Sequence, residues 1–366
     1  MDSRLLATLN SQASSTRDPV VWARAVCRAA SHFARHGQTR EALVSIGVVR
    51  AQFGPELHPE VASWLMLAEG VLHFFQWRTY EAYDRIRRAY GLAIALRTDS
   101  AIPSCAAWMA HIEFNEGAYD KMITHIKEAL SNAADDDHQA LARASLVVAD
   151  AFQLSGSYQL ARPWYDKVRQ HASAEGDDAT LSAMLYNVAA FRAANVRLSD
   201  TFGIETGTEA HRARMETSSS TNYDFAIGTA GLSFLTPILR GLVLTIDGKF
   251  DEAFTVLESL EKSNLPKRTL APIYADMAWC AANLGDHDLA WKSACLASSE
   301  LNSLTDSDDI AYVESRISQV AEAVGLPEEV NQHKGRALQA LAQHKAFQRD
   351  LLAKLQEIFQ DQSLKK

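Results

Sequence analysis

Small residues recur along this 366-residue chain at a nearly constant step, and that period constrains the fold more than any other feature. They fall at Ala30, Gly70, Ala110, Ala149, Ala189, Gly241 and Ala278, separated by 40, 40, 39, 40, 52 and 37 residues. Twelve residues after each come Ala42, Ala82, Met122, Ala161, Thr201, Ala253 and Ala290. Antiparallel helices cross closely where the facing side chains are small, so each pair of positions predicts one helix pair. One helical turn further on lie Ile46, Ile86, Ile126, Tyr165, Leu257 and Ala294. Seven residues after the first small site, Gly37, Gly117, Gly156, Gly248 and Gly285 mark turns, with Trp77 and Val196 as exceptions.

Only 9 prolines occur and alternating β-patterned runs are absent, so the class is all-α. Apolar residues make up 47% of the chain, enough for a continuous core. A repeat chain grows as one stack, so the usual domain-length prior does not apply. Residues 1–17 are polar and are expected to fray. Gly54-Pro55 ends the first pair. The second carries Trp64, Phe74, Phe75, Trp77, Tyr80, Tyr83 and Tyr90, with Arg85, Arg87 and Arg88 on its second helix. The step of 52 falls at residues 203–222, rich in glycine, charge and Ser/Thr, which read as an insertion or connector at which two blocks could hinge. Asp306 to Asp309 cap a helix reaching about Val324. A last helix, Glu328 to Asp361, either caps the stack or overhangs it as a dimerisation segment. The expected layout is thus a block at 1–202, a connector at 203–222, two pairs at 223–306, and C-terminal helices at 307–366.

The segments GSYQLARPWY (156–165), GKFDEAFTVL (248–257) and GQTREALVSI (37–46) resemble the tetratricopeptide repeat. That family has a Gly/Ala in its first helix, a Gly-x-Tyr type of turn, then an alanine and an aromatic or aliphatic residue. The resemblance spans about residues 18 to 300. Its usual repeat is about 34 residues, so the helices or turns here must be longer, as in repeat domains of bacterial regulatory proteins. It implies a right-handed α-α superhelix of about seven helix pairs plus C-terminal helices. It further implies a concave groove lined by the first helix of each pair. Placed on that frame, Trp64, Phe74, His111, Phe114, Asp150, Tyr186 and Trp279 point inward. Asn187 falls where the family often carries a backbone- or carboxylate-binding asparagine, with Arg192 near it, but no paired lysine completes a carboxylate clamp.

Enzyme signatures are missing: there is no GxxxxGK[ST], GxSxG or HExxH, and Gly228 and Gly231 lack the strand and lysine of a phosphate loop. Asp306, Asp308 and Asp309 lack the glycine and terminal glutamate of a calcium loop. The 12 histidines read as surface or core polar residues, and the nearest His/Asp/Glu sets lack metal-ligand spacing, so no metal and no cofactor are expected. Cys27, Cys105, Cys280 and Cys295 form no CxxC and read as reduced core residues of a cytoplasmic protein. No secretory signal is expected at the N-terminus. The longest apolar run, Gly231 to Ile246, contains Arg240 and is shorter than the ~20 residues of a membrane span. A net charge of −9 disfavours nucleic acid. The expected function is a non-enzymatic scaffold or adaptor that binds a protein or peptide in the groove. The alternative is a bacterial sensory module that answers a peptide or small ligand and signals by homodimerisation through its C-terminal helix.

Overall fold

The computed structural model describes residues 3–54, 57–229 and 234–359. Pro55, Gly231 and Asp361, used above as boundaries, lie outside them. The described residues contain seventeen α-helices and three short 3-10 turns, with no β-strand. After α1 (Arg4–Ser15) the helices come in pairs: α2 (Pro19–Arg35) with α3 (Thr39–Phe53), α4 (Pro59–Phe75) with α5 (Thr79–Ala95), α6 (Ile102–Asn115) with α7 (Tyr119–Asn132). Next are α8 (His138–Leu154) with α9 (Tyr158–Glu175), and α10 (Asp178–Thr201) with α11 (Gly207–Ile227). The series ends with α12 (Leu235–Ile246) and α13 (Phe250–Glu258), α14 (Leu270–Asn283) and α15 (His287–Glu300), and α16 (Ser307–Ala323) and α17 (Pro327–Phe359).

First helices pack on their own second helix and on neighbouring repeats, as in α2 against α3 and α4, α6 against α7 and α8, and α14 against α15 and α16. Nearest-neighbour packing of this kind defines a helical-repeat stack. The ten alanines at the crossing positions are at most 1% exposed, which confirms that the period marks where helices meet. At Gly70 an added Cβ would lie 2.4 Å from Ile86 Cγ1, and at Gly241 it would lie 2.4 Å from Leu257 Cδ2.

Five turn glycines take φ between +70° and +83° (Gly37, Gly117, Gly156, Gly248 and Gly285). In the second pair Trp77 occupies the same place at φ +61°. A side chain in that region costs about 1–2 kcal/mol.

The chain divides into two compact units. Unit one comprises Met1–Met184, Tyr223–Leu232 and Leu351–Lys366; unit two comprises Leu185–Asn222 and Ser233–Asp350. Three sequence expectations change. The N-terminal stretch is not frayed: Ser3 caps α1 by accepting from the Leu6 N–H, and Leu5 and Leu9 bury against Ala29 and Phe33. Of the two readings of residues 203–222, insertion or connector, the structure favours ordered helix, because most of them belong to α11, which partners α10 through Ala189, Ala193 and Ala213. The extra length of this step is therefore helix. Finally, Cys295 is exposed on α15, while Cys27, Cys105 and Cys280 are buried.

Several apolar residues of α17 pack inside the chain, while Leu338 is 52% exposed. Ala337 and Ala340 are buried in unit two, where His333 pairs with Glu314 of α16. Leu351, Leu355 and Phe359 are buried in unit one, with the Phe359 ring 5.0 Å from Trp164 and 6.0 Å from Phe152.

The crossings predict opposite responses to the same substitution. Gly70→Ala and Gly241→Ala should each lower stability by about 1–3 kcal/mol through overpacking, less up to about 1 returned by helix propensity. Gly47→Ala, on α3 with nothing within 4 Å of its Cβ, should raise stability by about 0.5–1 kcal/mol. Urea denaturation checks the signs; equal effects at all three glycines would contradict the close crossings.

Candidate functional site

In unit one the first helices enclose one another. From Ile102 to Glu113 every residue of α6 is buried except the half-buried His111, and Ala140 to Gln153 of α8 are all buried. A helix covered on every side presents no open face. The side chains expected to line a groove here are instead packed inside. Trp64 is buried and donates to Ser100 Oγ at 3.3 Å. Phe74 and His111 stack edge-on at 5.1 Å, with Trp108 between 5 and 6 Å from both. Asp150, 1% exposed, accepts the Tyr165 hydroxyl at 2.7 Å. Phe114 is half-buried against Tyr119. In unit two Tyr186 packs on the Ala189–Leu239 cluster, beside half-buried Asn187. The Arg192 guanidinium is taken up by Glu216 at 2.6 Å and by Glu209 of α11. Trp279 lies under the Arg316 guanidinium, 4.5 Å from its centre. Phe74, His111 and Trp108 thus form one cluster, and Arg192 and Trp279 belong to separate polar networks.

The enclosed helices of unit one carry charge. Arg143 is 5% exposed and sits 4.3 Å over the Trp108 ring. Among the described residues no carboxylate or carbonyl accepts a hydrogen bond from it. Burial, with Arg35 adding to it, pushes its pKa down to about 9. Nearby polar atoms also lack protein partners: His111 Nδ1, Ser104 Oγ and Gln153 Nε2 are buried without one. Burial, then the charges of Arg143 and Arg35, hold His111 well below the ordinary histidine range, so its ring is neutral.

A second polar group ties the first repeat to the start of the fifth. Arg35, near the end of α2, donates to Asp177 Oδ2 at 2.8 Å and to Thr180 Oγ1 at 2.5 Å. Asp177 also caps α10, accepting from the Thr180 N–H at 3.1 Å. Burial alone would raise the Asp177 carboxyl, but the charge and hydrogen bond of Arg35 outweigh it and hold it far below the carboxylate range. Two turns back along α2, Arg28 reaches Gln139 at 2.8 Å and pairs with Glu175.

Beside this pair, His32, His36 and Asp178 come together. Their ligand atoms all lie within 4.8 Å of one another, an arrangement able to hold a metal ion. His36 Nε2 is 3.1 Å from Asp178 Oδ1, and His32 Nδ1 is buried without a partner. Burial, then His36 and Arg35, push the His32 pKa down to about 4. Contrary to the sequence expectation, His32 and His36 do have a metal-ligand spacing, four residues apart on one helix face. Asp178, 142 residues further on, had no such signal.

The helix pairing and the repeated crossings define an all-α, tetratricopeptide-like helical repeat. No protein-family model and no curated protein sequence matches the chain. Among solved structures it is similar to the P58(IPK) TPR domain, at 13% identity over 83% of this chain and 79% of that one, with a TM-score of 0.33. It is also similar to a circular tandem repeat protein with novel repeat topology, at 12% identity over 96% of this chain and 97% of that one, with a TM-score of 0.22. The repeat assignment rests on the helix packing and not on these two likenesses.

Two outcomes follow from the buried charges. Arg143→Met removes a buried charge that no described carboxylate hydrogen-bonds and that Asp177 and Asp150 only partly offset, so stability in urea should be unchanged or rise by about 1–4 kcal/mol; a loss of that size would mean Arg143 is paired. His32 and His111 stay neutral in the folded state while their unfolded counterparts take up protons below the ordinary value of 6.5. Stability should therefore fall as pH drops from about 6.5 towards 4, by at most about 1.4 kcal/mol per pH unit for each histidine. His111→Gln should flatten that slope; an unaltered slope would show that His111 titrates normally.

Proposed function

We propose that this protein is a non-enzymatic interaction scaffold whose partner is a protein or peptide. One observation carries the reading. Where five repeats place glycine, the second repeat holds Trp77 at φ +61° and leaves its indole 45% exposed. Tyr80, three residues on, is 84% exposed, and Arg78 beside it is half exposed on its pair with Glu81. Strained backbone persists where surrounding structure holds it and is concentrated at functional positions. Trp, Tyr and Arg are also the residues that most often dominate binding at protein interfaces. The partner site in unit one is therefore assigned to this outward turn, since the inner helices there are filled. The overall charge of −9 supports a protein partner over nucleic acid. No helix among the described residues is long and apolar enough to cross a membrane.

A second reading, a module that answers a small ligand, is favoured by Arg143, a buried cation that no carboxylate among the described residues hydrogen-bonds, though the charges of Asp177 and Asp150 act on it. It would respond through the packing of α6 and α8. Leu351, Leu355 and Phe359 of α17 are already buried in the chain, which leaves fewer apolar side chains for a homodimer and supports the scaffold reading over signalling by dimerisation.

The test compares proteins retained from a lysate of the native host by wild type and by Trp77→Gly/Tyr80→Ala. Glycine relieves the backbone at 77, so the variant should fold at least as well, as circular dichroism and thermal unfolding would show. A partner identified on the wild type and reconstituted with purified protein should bind the variant at least about 30-fold more weakly, the effect of one hot-spot residue. Equal binding by both proteins would move the interface away from this turn.

A further inference from the structure

We propose that His32, His36 and Asp178 bind one divalent transition-metal ion, Zn²⁺ by preference, joining α2 of the first repeat to the start of α10. The ligand set is two imidazoles and one carboxylate, which suits zinc. His32 and His36 lie one turn apart on one face of α2, and Asp178 comes from the first residue of α10. In a tetrahedral site with metal–ligand bonds near 2.0–2.2 Å, ligand atoms lie roughly 3.3 Å apart. His36 Nε2 and Asp178 Oδ1 are already 3.1 Å apart, and all three ligand atoms fall within 4.8 Å, so a modest turn of the side chains closes the set.

Two features separate this cluster from an ordinary buried hydrogen-bond group. His32 is only 3% exposed, yet its Nδ1 has no partner. A buried ring nitrogen left unsatisfied carries a free-energy cost. The neighbouring guanidinium, Arg35, is matched by Asp177 at 2.8 Å, so the Asp178 carboxylate is left to His36, whose Nε2 lies 3.1 Å from its Oδ1. Three protein ligands leave a fourth tetrahedral position for water, and the Asp178 side chain is 22% exposed.

The experiment uses the full chain, stripped of metal by chelator dialysis, with Co²⁺ as spectroscopic probe and Zn²⁺ as competitor. The expected result is one equivalent of Co²⁺ giving the intense visible bands of a tetrahedral site, bleached by Zn²⁺, and a melting temperature that rises with added Zn²⁺. His36→Ala and Asp178→Asn should each weaken binding by more than about 100-fold, a loss beyond that typical of residues that only support a ligand. Asp178→Asn changes a part-exposed side chain, so it keeps the test valid if His36→Ala proves unstable. His138→Ala, which alters the other close histidine pair of unit one (His138 Nδ1 to His171 Nδ1, 3.1 Å), should leave the Co²⁺ spectrum unchanged. Absence of the bands in the wild type, or their persistence in Asp178→Asn, would overturn the proposal.

Discussion

A guanidinium taken out of water is costly unless an anion is placed to meet it, and Arg35 meets Asp177 at 2.8 Å with both side chains buried. Taking the two charges out of water costs several kcal/mol per ion, which good geometry and added hydrogen bonds must offset. Here Thr180 supplies the additional hydrogen bonds and Asp177 caps α10 at the same time. The pair joins residues 142 positions apart, so it is made only if the first repeat lies against the start of the fifth. That contact helps cover the inner helices of unit one. It also brings His36 to Asp178.

The periodicity made the helix pairs legible because a repeat interacts mainly with its neighbours. Alanines and glycines at Ala30, Gly70, Ala110 and Ala149 mark the crossings directly, and the turn glycines mark the reversals. The closure of unit one carried no such signal. Arg35, Arg28 and His36 look like ordinary charged residues on an amphipathic helix, and their partners lie in another repeat. Residues 203–222 misled because Gly207 and a Ser/Thr cluster lower helix propensity, whereas hydrogen bonds from Thr217, Ser218 and Ser219 to carbonyls four residues back are made within a continuous helix. The candidate site was legible in part: Phe74 and His111 do come together, but inside the unit. The metal-ligand spacing at His32 and His36 was readable, and Asp178 supplied the missing ligand only through the fold.

Enclosure also reassigns what the polar residues do. A groove histidine or aspartate would be available to a ligand; His111 is held neutral inside, and Asp150 is engaged by Tyr165. Buried polar networks of this kind specify one packing when satisfied and weaken it when they are not. Arg143, His111 and Gln153 belong to the second sort, and Arg35 with Asp177 to the first. The recognition chemistry then falls to outward positions, where the turn at Trp77 departs from the glycine used by its sister repeats.

The most direct measurement is a double-mutant cycle on Arg35→Met and Asp177→Leu in the full chain, read by urea denaturation. Each single change leaves the other charge buried and should cost about 3–5 kcal/mol, while the double change should recover much of that loss. An interaction energy above about 2 kcal/mol would place the first repeat against the start of the fifth. Additivity within about 0.5 kcal/mol, the behaviour of independent sites, would mean that α2 and α10 do not meet and that unit one is open where it is described as closed.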